Sequence, residues 1–449
     1  MSEPPPEDNS GLDLKSFYIG AVNGLFVLLA AAFLDPETVL PAFAMRIMPG
    51  NVIWVAVIYS AINAGWYWPQ IFLSRRMEAK PRLAPYYGLS NTLRFTCMSL
   101  ACVVLFFFAV DYPRWTFAAV VVLLFASSSG GAYGIIPFMT VIRDAFPTQW
   151  HGRFFGVRYM LGGLGAFAAG FWIKDLLALD GEVPYPLNYM LVFGAGGLSA
   201  AICALLFAMI RERPHAAAKH ILPMRYHLAR GRRMLRENAN LRRLAKTQAL
   251  WTAAAGLGYP FVVPFAVKML DMPVSVVGLL LSAKMLTYSL TNPLWGHLGT
   301  IIGNRALTAV GTVGLMAVMV VTLIAPWLPQ TMLFSLLGVG FDWRLLGIVL
   351  ACLLIGASRA CLLIGVNSFL LEILPDRRRT TFLGFYYLVL FPTTLVPLLG
   401  ALVVGANDRF TLVLVLALLV GGIMLWEVNR LEEMRPEPVS SDDDGEDDA

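Results

Sequence analysis

The sequence predicts an all-α, multi-pass membrane protein of twelve transmembrane helices in two pseudo-symmetric six-helix bundles. Three observations carry this prediction. The chain is 58% hydrophobic and 14% charged, with mean hydropathy +0.67, too apolar for a soluble globule of 449 residues. Its apolar stretches run roughly 20 to 28 residues, the length a helix needs to cross about 30 Å of hydrocarbon. The chain also nearly repeats itself: Asp144-Ala-Phe-Pro147, followed by Phe154, Gly156 and Tyr159, recurs as Glu372-Ile-Leu-Pro375, Phe382, Gly384 and Tyr387. A membrane protein made of two such halves generally works at their interface.

Residues 1–16 open with Pro4, Pro5 and Pro6 and carry no apolar run, so they are expected to be disordered. Spans follow at about 17–44, 50–73, 86–110, 115–142, 155–177 and 187–210, which make a first bundle over 17–210. The connection 211–246 holds eleven basic residues against two acids and reads as a cytoplasmic linker lying on anionic headgroups. A second bundle over 247–428 contains spans at about 247–270, 274–295, 306–325, 344–371, 381–405 and 408–428. The tail, 429–449, ends in a run of acids that should stay solvated. Short alternating segments of a membrane barrel are not the pattern here.

Orientation follows from the 34 Lys and Arg residues. With both termini in the cytoplasm, 24 fall on the inner side, Arg75, Arg76, Arg377 and Arg378 among them. Six fall outside: Arg46, Arg114, Lys174, Lys268, Arg344 and Arg409. A protein of the cytoplasmic (inner) membrane is expected, with no cleavable signal, because the residues before the first span are acidic and its apolar run is too long. The net charge of +5 is accounted for by the linker and calls for no nucleic acid. Cys97, Cys102, Cys203, Cys352 and Cys361 lie within spans without metal-ligand spacing and read as small apolar fillers.

The connection Gly296-His-Leu298-Gly-Thr-Ile-Ile-Gly303-Asn-Arg305 resembles the Gly-x-Leu-x-Asp-x-x-Gly-x-Arg loop of the major facilitator superfamily. Two sixes of helices joined by a long basic loop are similar to that superfamily over nearly the whole chain. The resemblance implies a secondary transporter working by alternating access, with Gly296 and Gly303 shaping a tight turn and Arg305 pairing with neighbouring helix ends. Thr300 stands where the pattern has Asp, and Ser74 to Lys80, the equivalent loop of the first half, has lost its glycines. The fourth span lacks an internal Arg and the fifth a proline, although both often mark antiporters of this family. Such departures place the chain in a divergent subgroup.

Ionisable groups within a span cost several kcal/mol by most estimates and are functional candidates by default. The first span contains Asp35-Pro36-Glu37-Thr38-Val-Leu-Pro41. Its prolines remove backbone donors, so a broken helix is expected, and Tyr259-Pro260-Phe-Val-Val-Pro264 in the seventh span suggests the same interruption in the second half. A carboxylate partly removed from water can carry a coupling proton, which makes Asp35 and Glu37 candidates for proton coupling; solvated residues at a helix mouth are the alternative. Lys284 and Arg359 fall near the midplane of the eighth and tenth spans. Facing one chamber, they would favour an anionic substrate; paired with an internal acid such as Asp35, they would be a structural or gating ion pair.

Tyr259, Tyr288, Asn63 and Asn367 are further candidates for substrate contact, as are Asn292, Tyr386 and Tyr387, while Trp66 and Trp68 read as an interfacial belt. Arg94 is expected to snorkel from a peripheral helix, and Arg158 to anchor at the interface. Arg143, Asp144, Arg153, Glu372 and Arg379 flank the cytoplasmic mouths and could form ion pairs that break as the inside opens.

No phosphate-binding loop, nucleophile and base, or metal-ligand spacing is present, so no enzyme activity, cofactor or metal is expected. The partners expected are a small-molecule substrate, the lipid bilayer and protons, with the protein acting as a monomer. The substrate read from Lys284 and Arg359 is a small organic anion. The alternatives are a non-transporting assembly or pigment-handling factor on the same fold, or a lipid flippase.

Overall fold

In a computed structural model, residues 13–433 are described except for 71, 73–76, 78–79, 179–182, 211, 213–223, 337, 374–378 and 406. The expected disorder of the N-terminus and acidic tail lies outside these residues, as do Arg75, Arg76, Arg377 and Arg378.

α1 (Leu14–Phe33) begins where the Asp13 carboxylate accepts the Lys15 and Ser16 backbone N–H groups, a side-chain N-cap. After a break, α2 (Val39–Ile47) completes the first span. α3 (Ile53–Tyr67), α4 (Ala84–Phe108), α5 (Pro113–Ala145), α6 (Thr148–Leu176) and α7 (Leu187–Ala208) complete the first half. The basic linker forms α8 (Met224–Glu237), which packs on the eleventh span at Gly231, where a Cβ would stand 2.3 Å from the Phe385 ring. α9 (Ala239–Met269), α10 (Val276–Ile302), α11 (Asn304–Ile324), α12 (Trp343–Ile373), α13 (Arg379–Leu390), α14 (Val396–Val404) and α15 (Phe410–Val428) form the second half. Between α11 and α12 an antiparallel hairpin, β1 (Met332–Leu336) and β2 (Val339–Asp342), turns at Gly338 with φ +75° and stacks Phe334 on Phe341. Sequence patterning gave no sign of it.

Ten of these helices are long and apolar enough to cross a membrane. Ile53–Tyr67 is apolar but shorter, and α10 is long but carries Lys284, Tyr288 and Asn292. Together they match the twelve expected spans. One expectation is corrected: α9 runs unbroken through Pro260 and Pro264. The second half is interrupted instead in its eleventh span, where Phe391–Leu395 forms a 3-10 turn between α13 and α14.

The halves pack alike. α1 lies on α7 as α9 lies on α15; α4 on α5 and α7 as α11 on α12 and α15; α3 on α5 as α10 on α12. Between halves, α6 packs on α10 and α3 on α14, contacts that exchange under the same correspondence. The α6–α10 seam is glycine-lined: a Cβ at Gly170 would stand 2.5 Å from the Gly278 carbonyl, and one at Gly163 2.1 Å from Ser289 Cβ. Small residues let backbones approach where no hydrophobic force drives helices together. Away from the face that carries the chain termini, α2 packs on α9, and Lys268 Nζ donates to the Gly50 carbonyl and to Asp408, both at 3.0 Å. The halves are joined on that far face.

Candidate functional site

The break after α1 is built by Asp35. Its Oδ1 accepts the Glu37 N–H at 3.0 Å and the Thr38 hydroxyl at 2.8 Å, while Pro36 has no N–H to offer. A side chain that satisfies the backbone in a non-helical shape lets the span turn inside the membrane without orphaned donors. The turn aims two carboxylates at the second half. Lys284 Nζ donates to Asp35 Oδ2 and lies 2.6 Å from Glu37 Oε2, and Arg359 Nη1 donates to Glu37 Oε1. α10 and α12 converge here because Gly356 has no side chain: a Cβ there would meet the Lys284 carbonyl at 2.1 Å.

The four groups match in charge, two acids and two bases. The Lys284 side chain is 3% exposed and that of Glu37 fully buried, whereas the Arg359 side chain is 39% exposed. Arg359 therefore faces out of the cluster. It faces a cavity of about 400 Å³, within the range of small-ligand sites.

Asn63, Tyr259, Tyr288, Arg359, Asn367 and Tyr387, six of the nine residues expected to meet substrate, line this cavity, whereas Asn292 and Tyr386 are not among its lining residues. Lys284 is not among them either; it is paired with Asp35 and Glu37, the arrangement that the sequence reading held as its alternative. Tyr259 is positioned by a 3.1 Å hydrogen bond between its hydroxyl and that of Ser358, and Asn63 donates to the Tyr59 carbonyl at 2.8 Å. Gln248, Asn367 and Tyr387 lie nearer the face of the chain termini, where Tyr67 and Tyr387 meet across the halves with centroids 5.6 Å apart.

Sequence reasoning missed much of the wall. Trp66 faces the cavity and not an interfacial belt; Tyr67, Trp251, Ser127 and Gln248 join it. Arg94 also lines it, against the expectation that it would snorkel to the headgroups. Arg158 is corrected too. It is buried, donating to the Gly20 carbonyl at 2.7 Å and Asn23 Oδ1 at 2.9 Å, with its guanidinium 4.3 Å over the Phe138 ring.

Residues 249–448 match the sequence model of the Major Facilitator Superfamily, and solved transporter structures are similar in fold over most of the chain. A mutant form of the nucleoside transporter NupG is 12% identical with a TM-score of 0.68, covering 93% of this chain and 100% of its own. The family-model match covers a little under half of the chain, and the solved transporters share its fold. A bacterial homologue of the iron transporter ferroportin, 14% identical, scores 0.69 in its inward-facing state, covering 93% of this chain and 99% of its own. In its outward-facing state the same score is 0.60, with 92% and 99% covered. A D-xylose-proton symporter is 13% identical with a TM-score of 0.65, over 92% and 97% of the two chains. No curated protein matches this chain in sequence.

The residues of the Gly296–Arg305 connection run from the end of α10 into the start of α11. Gly303 turns with φ +86°, a conformation glycine adopts without strain, and the Glu433 carboxylate accepts from the Asn304 and Arg305 backbone N–H groups. Nothing lies within 4 Å of a Cβ at Gly296, and Thr300, in the Asp position, donates to its own helix at His297 O. Arg143 pairs with its neighbour Asp144 at 2.9 Å, Arg153 lies 5.0 Å from the Trp150 ring, and Glu372 accepts from Asn304 at 2.6 Å. Each of these contacts stays within one half. The side chain of Arg379 lies outside the described residues, as does Asp376.

Proposed function

We propose that this protein is a secondary transporter that moves a small organic anion across the cytoplasmic membrane by alternating access, with protons coupled through Glu37 and Asp35. The cavity wall carries the reading. Among the described residues it holds Tyr59, Trp66, Tyr67, Trp251, Tyr259, Tyr288 and Tyr387, two arginines, and no carboxylate. Such a wall suits a ligand with flat apolar surface and negative charge.

Coupling follows from Glu37, which sits between Lys284 and Arg359. A proton on Glu37 weakens its hold on Arg359 and frees that guanidinium for the anion; departure of the anion returns Arg359 to a deprotonated Glu37. Proton and anion then travel together. With the N-terminus inside, as the positive-inside bias requires, the joined far face is external and the cavity faces inward. The higher similarity to the inward-facing form of the ferroportin homologue supports this state.

Thermal stabilisation of the purified protein by a panel of small carboxylates and their amides selects a ligand, and its uptake is then followed in proteoliposomes under an imposed pH gradient. An inward proton gradient should drive accumulation, and Glu37→Gln should abolish that accumulation while facilitated equilibration persists. Uptake indifferent to the gradient in the unaltered protein would sink the coupling.

A further inference from the structure

Two arginines line the cavity, and only one of them is spoken for. Arg359 is held by Glu37. Arg94 belongs to α4, a helix whose Leu89, Leu93, Phe95 and Leu100 are exposed to the surroundings of the bundle. It reaches the cavity past α5 at Gly130 and Gly131. A Cβ at Gly130 would stand 3.2 Å from Arg94 Cγ, and one at Gly131 would stand 3.8 Å from Arg94 Nε and 3.2 Å from Trp66 Cζ3. Ser90, one turn earlier on α4, donates to the Gly130 carbonyl at 2.7 Å and fixes the two helices at this crossing. The adjacent glycines form a window where α4 meets α5: Arg94 and Trp66 both approach Gly131 with no side chain between them, and all three line the cavity.

Arg94 Nη1 donates to Asn91 Oδ1 at 3.3 Å, a neutral acceptor on its own helix, and no carboxylate of the described residues lies within ion-pair distance. A guanidinium placed within a membrane span costs several kcal/mol unless an opposite charge or water meets it. Its planar fork accepts a carboxylate through two parallel hydrogen bonds.

We propose that Arg94 is the residue of the cavity that first recognises the anion, while Arg359 is still held by Glu37, and that the ligand it receives is the carboxylate of a flat aromatic acid whose ring lies against Trp66. The inference rests on the organic-anion reading above and adds to it the residue and the substrate class. The fourth span of this chain has arginines only near its ends, Arg114 and Arg143, and Arg94 brings one to the cavity beside the glycines at its middle.

Calorimetric titration of the purified protein with benzoate, benzamide and acetate tests it. The unaltered protein should bind benzoate roughly tenfold to hundredfold tighter than benzamide, the worth of a hydrogen bond to a charged group, and tighter than acetate. Arg94→Gln should bring the benzoate-to-benzamide ratio to about one, and Arg94→Lys should restore part of it, since a point charge replaces the fork; residual benzamide binding shows that each variant is folded. A ratio that survives in Arg94→Gln overturns the role of Arg94 and leaves the organic-anion reading standing. A ratio of about one in the unaltered protein removes both. Acetate binding as tightly as benzoate overturns the aromatic class alone.

Discussion

At the scale of single residues, the balance of the buried cluster decides what each charge can do. Lys284 faces two carboxylates in a site closed to water, so its removal leaves Asp35 with no cation, while Glu37 keeps Arg359. Breaking a buried pair from one side costs about 3 to 5 kcal/mol. Lys284→Met should therefore sharply reduce folded protein, read as thermal unfolding in detergent. Adding Asp35→Asn removes the unmatched charge and should recover a substantial part of the loss. A Lys284→Met protein as stable as the parent would show that the lysine is not held as the structure shows. The sequence marked Lys284 and Arg359 equally as midplane cations. It did not reveal which of them faces the cavity, because that depends on where the chain crosses itself at Gly356.

At the scale of helices, the glycines of α6 divide by what they touch. A side chain at Gly170 would collide with the backbone of α10, at the Gly278 carbonyl, and backbone cannot step aside as a side-chain tip can. A side chain at Gly156, in the same helix, would meet nothing within 4 Å. Gly170→Val should separate the seam and lower the yield of monodisperse protein on size exclusion, whereas Gly156→Ala should stay within about 0.5 kcal/mol of the parent. Equal behaviour of the two variants would contradict the packing.

Helix interruption shows how far the sequence could be read. The break at Asp35-Pro36 was legible from the prolines that remove backbone donors; that the Asp35 carboxylate partners the turn came from the structure. Pro260 and Pro264 were misread: four residues apart they lie on one face of α9, in a stretch buried by neighbouring helices that holds the helix together. The break in the eleventh span falls at Pro392, where Thr393 and Thr394 hydroxyls return to the Leu390 and Phe391 carbonyls. Arg94 was legible as an intramembrane charge, but not in direction, since the window that admits it lies on a different helix.

At the scale of the whole molecule, the internal repeat reaches beyond packing into the way each half is tied at the face of the termini. Glu212, just past α7, accepts the backbone N–H groups of Leu83 and Ala84 at the start of α4. Glu433, past α15, does the same for Asn304 and Arg305 at the start of α11. The same number of residues separates the two acids as separates Leu83 from Asn304. In each half, then, the end of the sixth span caps the start of the third, and a carboxylate on exposed helix donors contributes about 1 kcal/mol. Neither latch crosses between halves. If alternating access rocks one half against the other, both latches persist through the cycle. Glu212→Gln and Glu433→Gln should therefore each lower thermal stability by a similar small amount and combine additively, because the sites are far apart and share no partner. Accessibility of a single cysteine placed at Asn63 in the cavity, measured by thiol labelling from either side, should remain that of the parent. A change in labelling with either substitution would make that latch part of the gate; unequal losses of stability would show that the halves, alike in backbone, are not alike in how they are held.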